Sequence, residues 1–189
     1  MTKEAEQFFK GHSELFKQRD MTRIYNTALQ DYEMMTYIWS LTDLFYSSGI
    51  DPLTYGTDDS KLDKVPDYYL AYSDITPKEI PEGILYIGRA AFAATGGFRH
   101  INLPNTLKEI GVQAFSHSML EEITIPASTF FIDSQAFQGC SLLKKVTILG
   151  THMQFGNDVF SKCPSLRVIE TKDPNIGGVV PLGCKVKHI

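Results

Sequence analysis

Three cysteines and five histidines are the side chains of this 189-residue chain best suited to nucleophilic, redox or metal chemistry. Cys140 and Cys163 each stand three residues after a phenylalanine, so a regular fold would set their thiols side by side. A zinc centre needs two more ligands, and Cys184 with a histidine is the one set that could supply them. Hydrogen bonding by two small side chains at matching bends is the expected role instead. The histidines are scattered. His100 is expected to face outward on a strand, and His152 to stand half-buried in place of a leucine; neither has an acid or nucleophile in register. No G-x-S-x-G, H-E-x-x-H or phosphate loop occurs. "ATGGF" lacks the spacing of a dinucleotide site, and Gly96 and Gly97 read as a loop holding one extra residue. Tyr55, Asp58, Asp59 and Tyr68 form the one polar–aromatic group that an enzyme site could use. The expectation is a protein without catalytic residues, metal or cofactor.

Bulk properties narrow the class further. Apolar residues make up 43% and charged ones 21%, ordinary globular values. The net charge of −4 is uneven: residues 1–64 carry 7 Lys/Arg against 11 Asp/Glu, and the remainder 11 against 11. Neither part is basic, which argues against nonspecific binding to nucleic acid or anionic membranes. The opening "MTKEAEQFFKGHSELF" is too acidic for a signal peptide, and no apolar run is long enough to span a bilayer. Three cysteines are too few for a disulfide framework. A soluble, cytoplasmic protein is expected.

The elements that position these residues come from an internal repeat. "YIGRAAF" ends at Phe92, "EIGVQAF" at Phe115, "FIDSQAF" at Phe137 and "QFGNDVF" at Phe160, at intervals of 23, 22 and 23 residues. A worn copy, "KVPDYYL", ends at Leu70, 22 residues before Phe92. Five or six residues after each anchor come Ile75, Phe98, Leu120, Leu143 and Leu166. "LxxIxI" fragments follow, alternating as half-buried strands do. Ser73, Thr95, Ser118, Cys140 and Cys163 share the small polar slot three residues after the anchor. One such turn cannot bury its apolar side alone, whereas stacked copies can.

"LPNTLKEIGVQAFSHSMLEEITIP" and "IPASTFFIDSQAFQGCSLLKKVTI" resemble the BspA-like (Treponema-type) leucine-rich repeats, over roughly residues 62 to 189. The resemblance implies a right-handed solenoid with short strands along each side and a role in protein recognition, often as a surface adhesin. Short unexported forms similar to this one occur in phage and bacterial genomes, which adds a phage-encoded protein to the possibilities.

Residues 1–50 read as a helical cap. Ile24, Ala28, Tyr32, Met35, Ile38 or Trp39, Thr42 and Phe45 make an amphipathic stripe between an N-cap at Asp20 and a stop at Gly49. Residues 51–64 read as a connector, and residues 65–189 as the solenoid with an irregular last turn. In that turn Val179 with Val180, and residues 186–189, are expected as short strands. The expected fold class is α+β: an N-terminal helical hairpin capping a leucine-rich-repeat solenoid of about five 22–23-residue turns.

Equal slots in successive turns should stack in columns. Leu85, Lys108, Phe130 and Met153 form one outward column, with Tyr86, Glu109, Phe131 and Gln154 beside it. Two adjacent phenylalanines facing water mark this as the first-choice partner surface, through Phe130, Phe131, Leu85, Tyr86 and Met153. The alternative is that one of the two tucks inward beside Thr129. A second surface holds Arg99, Glu121, Lys144 and Arg167, next to His100, Glu122, Lys145 and Val168. Its charges either pair with each other or orient a partner. The expected function is noncatalytic, intracellular protein–protein interaction, including a phage-encoded factor that binds or inhibits a host protein. The alternative is a self-associating assembly component. An enzyme at the junction between hairpin and solenoid is the weakest reading.

Overall fold

The structure is a computed structural model, and it describes residues 63–74 and 80–189. The helical hairpin expected over residues 1–50, its connector, and Ile75 with Lys78 lie outside the described residues. Asp63–Ile189 forms one compact unit.

Each turn of the repeat becomes one coil, and the coils stack to build two parallel sheets. The first sheet runs β1 (Lys64–Val65), β2 (Tyr86–Ile87), β3 (Glu109–Ile110), β5 (Phe131–Ile132) and β7 (Gln154–Phe155). The second runs β4 (Glu122–Ile125), β6 (Lys145–Ile148), β8 (Val168–Thr171) and β9 (Lys185–His188). Every pairing is parallel and in the register the sequence columns predict: Tyr86, Glu109, Phe131 and Gln154 are consecutive partners, as are Glu122, Lys145 and Val168. A short 3-10 helix, Ile176–Val179, occupies the last turn. Val179 therefore belongs to that helix rather than to the strand expected there. The Gly177–Gly178 step removes the β-branched bulk a strand would need. Residues 185–188 do form a strand, but all four are exposed, so β9 ends the sheet without closing the core.

The two strands of a coil bury their apolar faces against each other. Ile87, Ile110, Ile132, Ile123, Val146 and Ile169 are all buried. Between the sheets runs the anchor ladder. Phe92, Phe115, Phe137 and Phe160 are at most 1% exposed, and successive rings stack at 5.1, 5.2 and 5.5 Å with interplanar angles of 13°, 0° and 17°. The spacing slightly exceeds the strand separation of about 4.8 Å, which matches rings stacked with an offset. Leu70 fills the first position of this column, and Tyr69 meets Phe92 edge-on at 6.1 Å.

Around each anchor the backbone repeats an unusual conformation. The residues two before and two after it take positive φ: Tyr68 and Tyr72, Ala90 and Ala94, Gln113 and His117, Gln135 and Gly139, Asp158 and Lys162. This alternation points every second N–H along the solenoid axis. Ala90, Phe92 and Ala94 thus donate to the carbonyls of Val112, Ala114 and Ser116 in the next coil, at 2.7 to 2.9 Å. The intervening residues close short turns, as Ala91 does onto Gly88 and Ala93 onto Ala90. In the bends that have a following coil these bonds offset the strain of left-handed backbone at non-glycine residues.

Lys162 is exposed and holds φ 56°. Lys162→Gly should raise stability by about 0.5–1 kcal/mol, the steric penalty of the left-handed conformation outweighing glycine's extra chain entropy. Urea denaturation measures it; a clear loss of stability would show that the side chain packs in a way this geometry does not account for.

Candidate functional site

The small polar slot behaves as a structural seam. Thr95 donates its hydroxyl to the Leu70 carbonyl at 3.1 Å; the Cys140 and Cys163 thiols donate to the Phe115 and Phe137 carbonyls, both at 3.1 Å. Ser118 Oγ lies 3.5 Å from Cys140 Sγ. Thr95, Cys140 and Cys163 thus each satisfy the carbonyl of the anchor one coil earlier. The Cys140 thiol is pushed well above its ordinary range, first by hydrogen bonding with Cys163 and then by burial, so it stays neutral. A neutral, buried thiol is a poor nucleophile and a poor metal ligand. Among the described residues no three His, Cys, Asp or Glu side chains gather in a metal-holding group. Tyr55, Asp58 and Asp59 lie outside the described residues. Tyr68 is half-buried at the first coil's bend.

The histidines separate. His100 is exposed as expected, though its segment is not a strand. His152 is exposed rather than half-buried, its Nδ1 2.9 Å from Thr151 Oγ1.

The first sheet's outer face is built by a repeated corner. The Leu85 carbonyl accepts from both Lys108 and Glu109, and the Lys108 carbonyl from both Phe130 and Phe131. Two successive N–H groups aimed at one carbonyl break strict alternation. Two successive side chains consequently face out between two that face in. Thr129 is buried, with its hydroxyl on the Leu107 carbonyl at 3.1 Å, and Ile132 is buried. Phe130 is 46% exposed and Phe131 partly exposed, so neither tucks into the core. Tyr86 is 36% exposed, with Leu85 and Met153 half-buried in the same two columns. The result is an aromatic and Met strip interrupted by Lys108 and Glu109.

On the second sheet the charges largely pair. Lys144 meets Glu121 at 2.6 Å, and Glu170 receives Lys145 at 2.9 Å and Lys187 at 3.0 Å. The Arg167 guanidinium donates to the Pro164 carbonyl at 2.7 Å. Arg99, His100 and Glu122 are exposed at the near end of this face. Hydrogen bonds from Lys145 and then Lys187 hold the Glu170 carboxyl below its usual range, and Lys144 does the same for Glu121.

One buried acid escaped the sequence reasoning. Asp173 is 2% exposed and ends the solenoid: Oδ2 accepts the Met153 N–H at 2.6 Å and Oδ1 the Asn175 N–H at 2.8 Å. Its own N–H donates to Thr171 Oγ1 at 2.9 Å. In the equivalent slots Lys108 and Phe130 donate to a carbonyl of the coil before; here Gln154 alone takes the Phe130 carbonyl and the Met153 N–H turns to the carboxylate. "TKDPN" is an Asx-turn pattern that could have signalled it.

A profile of the BspA type leucine rich repeat region matches residues 63–177 in six copies. The chain belongs to this family. Two solved structures are similar to it. A leucine-rich repeat protein from Bacteroides ovatus is 29% identical, with a TM-score of 0.51 over 59% of this chain and 30% of that one. The pneumococcal vaccine antigen PcpA shares the fold at 24% identity, with a TM-score of 0.54 over 67% of this chain and 34% of that one. The BspA-type chain therefore spans about a third of the length of either. Comparison with curated proteins finds no match. Among the described residues no helix is long and apolar enough to cross a membrane.

Two measurements probe the far end of these BspA-type coils. Asp173→Ala should cost about 1–3 kcal/mol in urea denaturation, because it strands two N–H groups at a buried end; an unchanged midpoint would mean water replaces the carboxylate at no cost. The lowered pKa of Glu170 implies a contribution present above the unfolded carboxylate value of about 4.3 and lost as pH falls through the folded value. Glu170→Gln should therefore speed amide exchange in β9 at neutral pH and make little difference in acid. Equal exchange at both would show that the lysine clamp does not hold that strand.

Proposed function

We propose that this protein is a noncatalytic protein-interaction module whose main contact surface is the strip of Leu85, Tyr86, Phe130, Phe131 and Met153. The observation that carries the reading is the pair Phe130 and Phe131, both turned to solvent by a corner whose backbone is bonded to the coils on either side. Exposed aromatics on a preformed surface suit recognition: they supply large contact area, and little ordering entropy opposes docking. Leucine-rich repeats of this family generally serve protein interaction, in accord with that use.

Arg99, His100, Glu121, Glu122, Lys144, Lys145 and Arg167 make a second, subsidiary surface. Because Glu121, Lys144 and Lys145 are engaged with neighbours, its part is orientation and encounter rate rather than affinity. A setting inside the cell fits three cysteines without a disulfide between them. The narrower form of the proposal is a phage-encoded factor that binds or inhibits a host protein.

Self-association is the second reading, favoured by the exposed final turn, where Leu182, Val186 on β9 and Ile189 are solvent-facing. Light scattering at high concentration separates the two, since a strict monomer removes it. For the main reading, the protein is immobilised and bacterial lysate passed over it, with Phe130→Asp/Phe131→Asp in parallel. At least one protein should be retained by the wild type and lost by the double variant, whose fold is checked by circular dichroism. A folded double variant that retains every partner would overturn the proposed surface.

A further inference from the structure

The two sheets are not equally continuous. The first sheet pairs every coil to the next, but the second begins only at β4. Residues 99–103 should supply its preceding rung, and Glu121 does donate to the Arg99 carbonyl at 2.9 Å. Beyond that bond, none joins residues 100–103 to β4. The coil is tied to its neighbour again from Asn105 onward, where Asn105 donates to Glu82, Thr106 to the Ile84 carbonyl and Lys108 to the Leu85 carbonyl. Between these anchors the two segments part, leaving a crevice of about 350 Å³ open to solvent, within the range of ligand-binding pockets.

Burial records the same opening independently. Ile123, Val146 and Ile169 share a slot and are buried, whereas Ile101 in that slot is half-exposed. Ile125 and Ile148 are fully buried, and Leu103 in their slot is half-exposed. Both residues line the crevice, with Ile123, Leu149, His100 and Thr124. Two core positions thus lack their covering neighbour.

The polar lining is backbone. In a parallel sheet successive residues bond alternately to the two neighbouring strands. Leu149 donates to the Ile125 carbonyl, so the odd residues of β4 face β6. Glu122 and Thr124 must then turn their main-chain groups toward the crevice. By the same alternation Arg99, Ile101 and Leu103 face β4. The crevice is therefore walled on both sides by strand-like donors and acceptors, above an apolar floor.

We propose that this crevice is a peptide-binding site that takes an extended segment of about five residues, the length of the splayed stretch, by strand addition to β4. The peptide's backbone supplies the missing rung. Its alternate side chains are apolar and cover Ile101 and Leu103, and those between them are polar and face outward beside His100 and Glu122. This site lies on the other sheet from Phe130 and does not depend on the proposed aromatic surface.

The probe is a synthetic peptide, SLLKKVTILG, copied from residues 141–150, whose strand already pairs in parallel with β4 on its opposite edge. Amide hydrogen exchange of the full chain is followed by NMR with and without it. In the free protein the amides of Ile101, Leu103 and Thr124 should exchange fast, and peptide should slow them by about tenfold or more. The same peptide N-methylated at alternate residues should bind far more weakly, because its side chains remain while its ladder bonds are lost. Slow exchange at these amides before addition would mean the crevice is closed, and would overturn the proposal. So would protection confined to Val186 and His188 on β9, equal binding of the methylated peptide, or no binding at millimolar concentration.

Discussion

The backbone of one coil finds its partners almost entirely in the next coil. Hydrogen bonds run from coil to coil along both sheets and through the bends beside the anchors, where N–H groups on alternate residues reach forward. Such a chain is held by nearest-neighbour contacts, and the constraint that follows is periodic length. A coil one or two residues too long must bulge somewhere, or the anchors lose their stack. This explains why the extra residues fall in the loops after the anchors, near Gly96 and Gly139, and not in strands. It also explains the glycines after the isoleucines. A Cβ at Gly111 would lie 2.7 Å from the Ile87 carbonyl, closer than coils in register allow.

Much of this was legible because residue type and spacing carry the constraint openly. Phe92, Phe115, Phe137 and Phe160 must share an environment, and the residues around them inherit their facing from that. The columns through Phe131 and through Lys145 followed directly, as did the hydrogen-bonding role of Cys140 and Cys163. Other features left no such trace. Positive φ at Ala90, Gln113 and Gln135 is imposed by the coil-to-coil bonds on residues that do not favour it, and Gly139 alone advertises it. The doubled bonds at Leu85 and Lys108 are backbone events, silent in side-chain pattern. Ile101 and Leu103 obey the repeat fully, so nothing in their identity announces that the sheet opens beside them. Asp173 reads as a turn residue until its burial is known.

The functional picture divides along the same line. Positions that serve the coil are uniform from turn to turn, and positions free of that duty vary. Lys108 and Phe130 occupy one slot with opposite chemistry, because no coil bond depends on either side chain. Variation within a fixed frame is what lets a solenoid present a particular surface to a particular partner without retuning its core. In this chain the aromatic strip and the open rung are the places where the frame permits departure, and they lie on different sheets.

In-frame excision of one whole coil tests the central claim most directly. Removing residues 116–137 joins Phe115 to Gln138 and leaves every remaining slot above its equivalent. The account predicts a shorter protein that still unfolds cooperatively in urea, with the denaturant slope reduced in proportion to the surface lost. An excision shortened by four residues should abolish that transition. If both excisions fold equally well, or if the whole-coil excision fails while the shorter one folds, slot-on-slot register is not what holds this chain together.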